Sequence, residues 1–213
     1  MAPAIAFLTT RVKGPDVEDW SKLVKLIQFL KHTSKDVLTI QTDGERSAKW
    51  HVDASYGVHP DMRSHTGATF TLGDGAITSI SRKQNINTRS STEAKLVATD
   101  DVMSPMVWTK NFLEKQGYPL KENILFQDNK SAILLESKGR ASCGKRSRHL
   151  NIRLFFVTNQ KAKNNIDIQY CPTDQMVGDY MTKPLLGHKF AGFHQKIMNM
   201  PLIAQLFIAA VIV

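Results

Sequence analysis

Three aspartates stand where elements of the chain end. Asp53 closes the run "KWHVD", Asp128 follows "NILFQ", and Asp179 lies in a short helical stretch after "YCPTDQ". Taken singly, each reads as a turn former or helix cap, the common uses of Asp at such places. Taken together they have a second reading, because side chains at strand ends of a mixed sheet converge on one spot. Clustered carboxylates repel one another, so a site of this kind calls for divalent cations, and oxygen ligands suit Mg²⁺. Paired Mg²⁺ ions would activate a water and steady the leaving oxygen in phosphodiester hydrolysis. A further acid, Glu93 in "RSSTEAKLVATDD", sits three residues after Ser90. That spacing is a capping box, with the serine side chain accepting from a backbone N–H and the glutamate reaching back to the cap.

The elements that must position these acids fall into three segments. Residues 1–49 carry one clear helix, "GPDVEDWSKLVKLIQFLKHT", opened by Pro15 and three acids. Trp20, Leu23, Val24, Ile27 and Leu30 recur at helical spacing and predict a packing face. Residues 50–200 alternate strand and helix signals. "KWHVDASYGV" predicts a strand, and "GATFTLGDGAITSISRKQ" two short strands around a GDG turn. A helix from Ser91 follows, with Ala94, Val97, Ala98 and Val102 on one face and a bend or break near Pro105. "ENILFQDNKSAILLES" predicts a buried strand running straight into a helix, "RHLNIRLFFVTNQ" another helix, and "NIDIQYCP" a strand. A last helix is expected from about Gln175 to Thr182. The order predicts an α/β fold, a mixed sheet with flanking helices. Residues 201–213, "PLIAQLFIAAVIV", form an apolar tail shorter than the roughly 20 residues of a spanning helix.

The chain has 28 Lys+Arg against 19 Asp+Glu, a formal net charge of +9. A chain this basic favours a polyanionic partner, because neutralising phosphates releases counterions. Lys145, Arg146, Arg148 and His149, in "KRSRHLNIR", are the candidates for phosphate backbone contacts. The alternative for that run is a solvated charged face. Two cysteines, Cys143 and Cys171, without a CxxC partner or a His at ligand spacing, argue against zinc and a disulfide framework. With no basic region before the apolar start, the chain is expected to be intracellular, in a cytoplasmic particle or the nucleus, and neither secreted nor in a membrane.

The motifs "WHVDASYG", "RSSTEAKLVATDD", "FQDNKSAILLE", "KRSRHLNIRLFFV" and "IQYCPTDQMVGDYMTKPL", in that order, closely resemble the ribonuclease H domain that ends copia-type retrotransposon polyproteins. The first segment resembles the stretch joining it to the reverse transcriptase. The resemblance implies a ribonuclease H-like fold that acts on RNA/DNA hybrid, two Mg²⁺ ions with Mn²⁺ as substitute, and an upstream reverse transcriptase segment as partner. It assigns Asp53, Asp128 and Asp179 as catalytic metal ligands. In the family a glutamate completes the set, in a pattern resembling S-T-E-A-E before an apolar pair. Lys95 occupies that position here. Glu93 is a weak substitute, because two residues along a helix turn it about 200° away. The resemblance therefore implies a degenerate copy. The alternatives are a non-catalytic hybrid-binding module, which would bind without cutting, and an integrase- or resolvase-like DNA nuclease, which the "YCPTDQMVGDYMTKPL" ending disfavours.

Overall fold

The computed structural model describes residues 1–138 and 150–200. Helix α1 (Ala2–Thr9) and helix α2 (Val17–His32) precede the sheet. Among the described residues, strand β1 (Gln41–Thr42) pairs only with β4 (Gly73–Asp74). The main sheet holds β2 (Ser47–Ser55), β3 (His65–Thr71), β5 (Thr78–Lys83), β6 (Glu122–Gln127) and β7 (Ile166–Tyr170) in the order β5-β3-β2-β6-β7. The first three strands are antiparallel, and β6 and β7 join them in parallel. Helices α3 (Ser91–Lys115), α4 (Lys130–Lys138), α5 (Asn151–Asn164) and α6 (Gly187–Met198) flank it. This is the mixed sheet with flanking helices that the element order predicts.

Alternation along β2 sorts the two faces. Trp50, Val52 and Ala54 enter the main core with Ala68, Phe70, Leu125 and Ile168, under Ala94, Ala98, Val102 and Met106 of α3. His51 and Asp53 therefore face the other side, where a 3₁₀ turn, Val177–Met181, packs with α6 through Val177, Tyr180, Met181, Phe193 and Ile197.

Three expectations are corrected. Helix α3 runs unbroken through Pro105, held on both sides of it by the buried Met103 and Met106. The helix expected at 175–182 is one 3₁₀ turn, because Gly178 lies against the β2 backbone and an α-helix there would carry Asp179 away; the true last helix is α6. The apolar face of α2 is largely uncovered, with Trp20 65% and Ile27 56% exposed. Asp16 and Asp19 build a full capping box at the start of α2, and Arg11 bonds both acids.

One buried acid lies outside the candidate site. Glu136 of α4 is fully enclosed, and burial pushes its pKa up to about 8 against hydrogen bonds from Thr99 and Gln127 and the charge of Lys161. It is therefore neutral in the folded state from about pH 4.3, where an unfolded glutamate ionises, up to about pH 8. The stability it allows is fully present at acid pH and is lost as pH rises between those two values. Glu136→Gln should be more thermostable than the unsubstituted protein at pH 8 and show a smaller fall in melting temperature from pH 5 to 8. Equal slopes for the two proteins would mean that Glu136 is not neutral when folded.

Candidate functional site

The strand register brings the first two acids level. In the parallel pair His51 stands opposite Phe126, so Asp53 and Asp128, each two residues further on, come side by side at the strand ends. Asn129 accepts from the N–H of Ala132 at 3.0 Å and serves as the turn-and-cap residue, which leaves Asp128 for other contacts. The 3₁₀ turn supplies Asp179. Carboxylate oxygens of Asp53, Asp128 and Asp179 all lie within 4.8 Å of one another.

Close backbone approach makes this convergence possible. A Cβ on Gly178 would lie 3.1 Å from the Asp53 nitrogen, and one on Gly67 would lie 2.4 Å from Thr182 and 2.9 Å from the Met181 backbone carbon. Thr182, drawn in by this contact, donates its hydroxyl to Asp53. Gly67→Ala should therefore push the turn outward and cost about 1–3 kcal/mol through overpacking. Its melting temperature should fall by roughly 2–12 °C. An unchanged value would show that the turn accommodates a methyl group.

Lysines answer the carboxylates one for one. The Lys95 ammonium, projecting from the first turns of α3, donates to Asp53 Oδ1 at 2.6 Å and also to Asp128. Lys183 and Lys189 donate to the two oxygens of Asp179 at 2.5 and 2.7 Å. Lys183 also lies 3.4 Å from Asp53, and Thr173 donates to Asp128 at 3.3 Å. Burial alone would raise the pKa of Asp53, but the charges of Lys95 and Lys183 and the bonds from Lys95 and Thr182 hold it well below the usual carboxylate range. Burial likewise opposes the charged form of Lys95, yet Asp53 and Asp128 outweigh it and raise its pKa above that of an ordinary lysine. Burial raises the pKa of Asp179 against its two lysine bonds.

Three clustered carboxylates are a donor set that a divalent cation could take. With Lys95 in place they do not fit one. Its ammonium is already bonded to two of the three acids, and a cation placed between Asp53 and Asp128 would meet a like charge. Glu93 does not join the cluster. Its carboxylate accepts from the Arg89 N–H at 2.8 Å while Ser90 caps the Glu93 N–H, so it serves the helix start. Lys145, Arg146, Arg148 and His149 lie outside the described residues, as does the tail 201–213. The sequence reading missed Thr182, Lys183 and Lys189. Lys183 was within reach of it, being four residues from Asp179; Lys189 was not, because the turn at Leu186–Gly187 separates it from the motif.

No family model matches the chain. It is 27% identical over 191 residues to the retrovirus-related Pol polyprotein from transposon TNT 1-94 of Nicotiana tabacum, covering 89% of this chain and 14% of that protein. It is 26% identical to the Pol polyprotein from transposon RE2 of Arabidopsis thaliana, covering 91% and 13%. The chain thus spans about one seventh of the length of these curated relatives, and it is a homologue of retrovirus-related Pol polyproteins of plant copia-type transposons. Among solved structures, LC11-RNase H1 isolated from compost is similar with a TM-score of 0.48 at 12% identity, covering 64% of this chain and 92% of that one. The RNase H domain of PFV is similar with a TM-score of 0.42 at 13% identity, covering 72% and 90%. No helix among the described residues is long and apolar enough to cross a membrane.

Proposed function

We propose that residues 50–200 form a ribonuclease H-like domain of a retrotransposon polyprotein that engages RNA/DNA hybrid but has lost hydrolysis, its acid cluster closed by Lys95. Residues 1–49 lead into it from the reverse transcriptase segment, which is its partner within the polyprotein. One observation carries the reading: the Lys95 ammonium is bonded to both Asp53 and Asp128, where two-metal hydrolysis of a phosphodiester would need cations held by carboxylates. The relationship to Pol polyproteins supports the nucleic-acid context. The net charge of +9 supports a phosphate-backbone partner.

The chemistry left to the site is binding. Lys183 and Lys189, more than a third exposed, sit beside the acids on flexible stems and can turn toward a phosphate. Contacts of this type set register without reading sequence, as a domain that accepts any hybrid requires. The test is a binding and cleavage assay on one labelled hybrid. Binding should weaken steeply with salt, and the RNA strand should stay intact in Mg²⁺ or Mn²⁺. Efficient cutting by the unsubstituted protein would overturn the loss of activity. Preference for duplex DNA over hybrid would favour the DNA-nuclease alternative.

A further inference from the structure

The sheet face that carries Asp53 also floors a cavity of about 600 Å³. Alternation and register decide which side chains form that floor. His51 follows Lys49 on this face of β2, opposite Thr69 of β3 and Phe126 of β6, and all four line the cavity. The His51 ring therefore stands in the middle of the floor, stacked on Phe126 with centroids 4.9 Å apart. The turn at 73–76 and the end of α6 form the walls, which are apolar at Ala76, Val177 and Ile197. They are tied together, because the Ala76 N–H donates to the Ile197 carbonyl at 2.8 Å. A preformed cavity of this volume, with apolar walls and a few placed polar groups, is the usual form of a small-molecule site.

The floor offers unused hydrogen-bonding groups at an accessible surface. His51 is half-buried, its ring makes no hydrogen bond, and neither ring nitrogen is among the side-chain atoms shut off from solvent. Thr69 and Phe126 flank the ring across the sheet, and Lys49 and Asp53 flank it along the strand, so its open edge is the one turned to the cavity. In the neutral ring one nitrogen donates and the other accepts. The charges differ in what they already hold. Lys49 is paired with Asp43 at 2.8 Å, and Asp74 lies exposed at the rim. Lys196 is exposed at the cavity's edge, its ammonium 6.0 Å from the Phe193 ring centre and beyond ion-pair distance of any carboxylate among the described residues. A donor and an acceptor on one ring edge, beside an aromatic ring, match the edge of a nucleobase, and an ammonium without a carboxylate matches a phosphate.

We propose that this cavity binds a single mononucleotide, its base against His51 and Phe126 and its phosphate toward Lys196. The site depends neither on hydrolysis at the acid cluster nor on the binding of hybrid there. Lys183 and Lys189, the lysines that hold Asp179, do not line it.

Adenosine 5′-monophosphate, adenosine and ribose 5-phosphate separate the two contacts. Each would be titrated into the full chain at neutral pH and followed through the imidazole NMR resonances of His51. The monophosphate should bind about five-fold more tightly than adenosine, the upper reach of an exposed ion pair. Both should shift the His51 signals, and ribose 5-phosphate should not bind. Lys196→Gln, at an exposed position, should bring the monophosphate down to the affinity of adenosine. His51→Leu, which keeps an apolar contact with Phe126, should weaken both by about ten-fold through the lost hydrogen bond. Lys183→Ala, at the acid cluster, should change neither. No binding of the monophosphate or adenosine, ribose 5-phosphate binding as tightly as the monophosphate, or binding that is lost in Lys183→Ala and kept in Lys196→Gln would each overturn the proposal.

Discussion

Lys95→Glu should raise Mg²⁺-dependent cleavage of the RNA strand of a hybrid at least about 100-fold over the unsubstituted protein, a factor that outer partners of a metal site alone can reach. The substitution removes the ammonium bonded to Asp53 and Asp128 and adds a carboxylate at the same helix position. Four acids would then face two lysines, and those two, Lys183 and Lys189, are exposed enough to swing away. Without a divalent cation the four carboxylates repel, so the variant should also gain thermal stability from Mg²⁺, which the unsubstituted protein should not. Manganese binding followed by electron paramagnetic resonance separates the two halves of the expectation. A variant that binds Mn²⁺ and leaves the hybrid intact would sink the ribonuclease reading but keep the metal reading. A variant that binds no Mn²⁺ would show that Lys95 is not what closes the site. Adding Asp128→Asn to Lys95→Glu should abolish the regained cleavage, since the acids act as one set whose losses need not add. Adding Glu93→Gln instead should leave cleavage in place and weaken only the start of α3.

Lys95→Met tests the same residue as a structural element. Asp53 is fully buried and the Lys95 side chain is 11% exposed, so this ion pair lies out of water. Removing one partner of such a pair leaves an uncompensated charge and costs about 3–5 kcal/mol. For a chain of this size that should lower the melting temperature by roughly 6–20 °C. Millimolar Mg²⁺ should recover part of the loss in the variant, by taking the ammonium's place between Asp53 and Asp128, and should leave the unsubstituted protein unchanged. A melting temperature within about a degree of the starting value would mean that the lysine contributes nothing net to the fold. Because Lys95→Glu and Lys95→Met remove the same ammonium, comparing their responses to Mg²⁺ isolates what the added carboxylate does.

Periodicity was enough for elements whose pattern is strong. Strand β2, the strand-to-helix passage at Asp128 and helix α3 could all be read from it, since alternation and helical spacing are local properties. It failed where packing overrode the local signal. Pro105 should interrupt α3, but Met103 and Met106 on either side of it are anchored in the core and the helix continues. The stretch around Asp179 looks helical, but it lies so close to β2 that a Cβ at 178 would sit 3.1 Å from the Asp53 nitrogen, and it forms a single 3₁₀ turn. The helical face of Trp20 and Ile27 is as regular as any in the chain, yet the described residues leave most of it uncovered.

The resemblance alone implied that Lys95 stands where a family acid would; by itself the sequence determined which residue types were available for chemistry, three acids at element ends and Glu93 at a capping distance from Ser90. Those follow from identity and spacing along the chain. Only the tertiary structure decided that Asp53 and Asp128 come level through a parallel register between residues more than seventy positions apart. It alone decided that Lys95 bonds both of them, and that Thr182, Lys183 and Lys189 complete the network. The hydrogen-bond chain from His59 through His65 and Ser81 to the Met181 carbonyl likewise depends on β5 and the 3₁₀ turn meeting. The physical reason is range: caps and helical faces are set within a few residues, whereas ion pairing and burial depend on which distant segments the fold brings together and from which it excludes water.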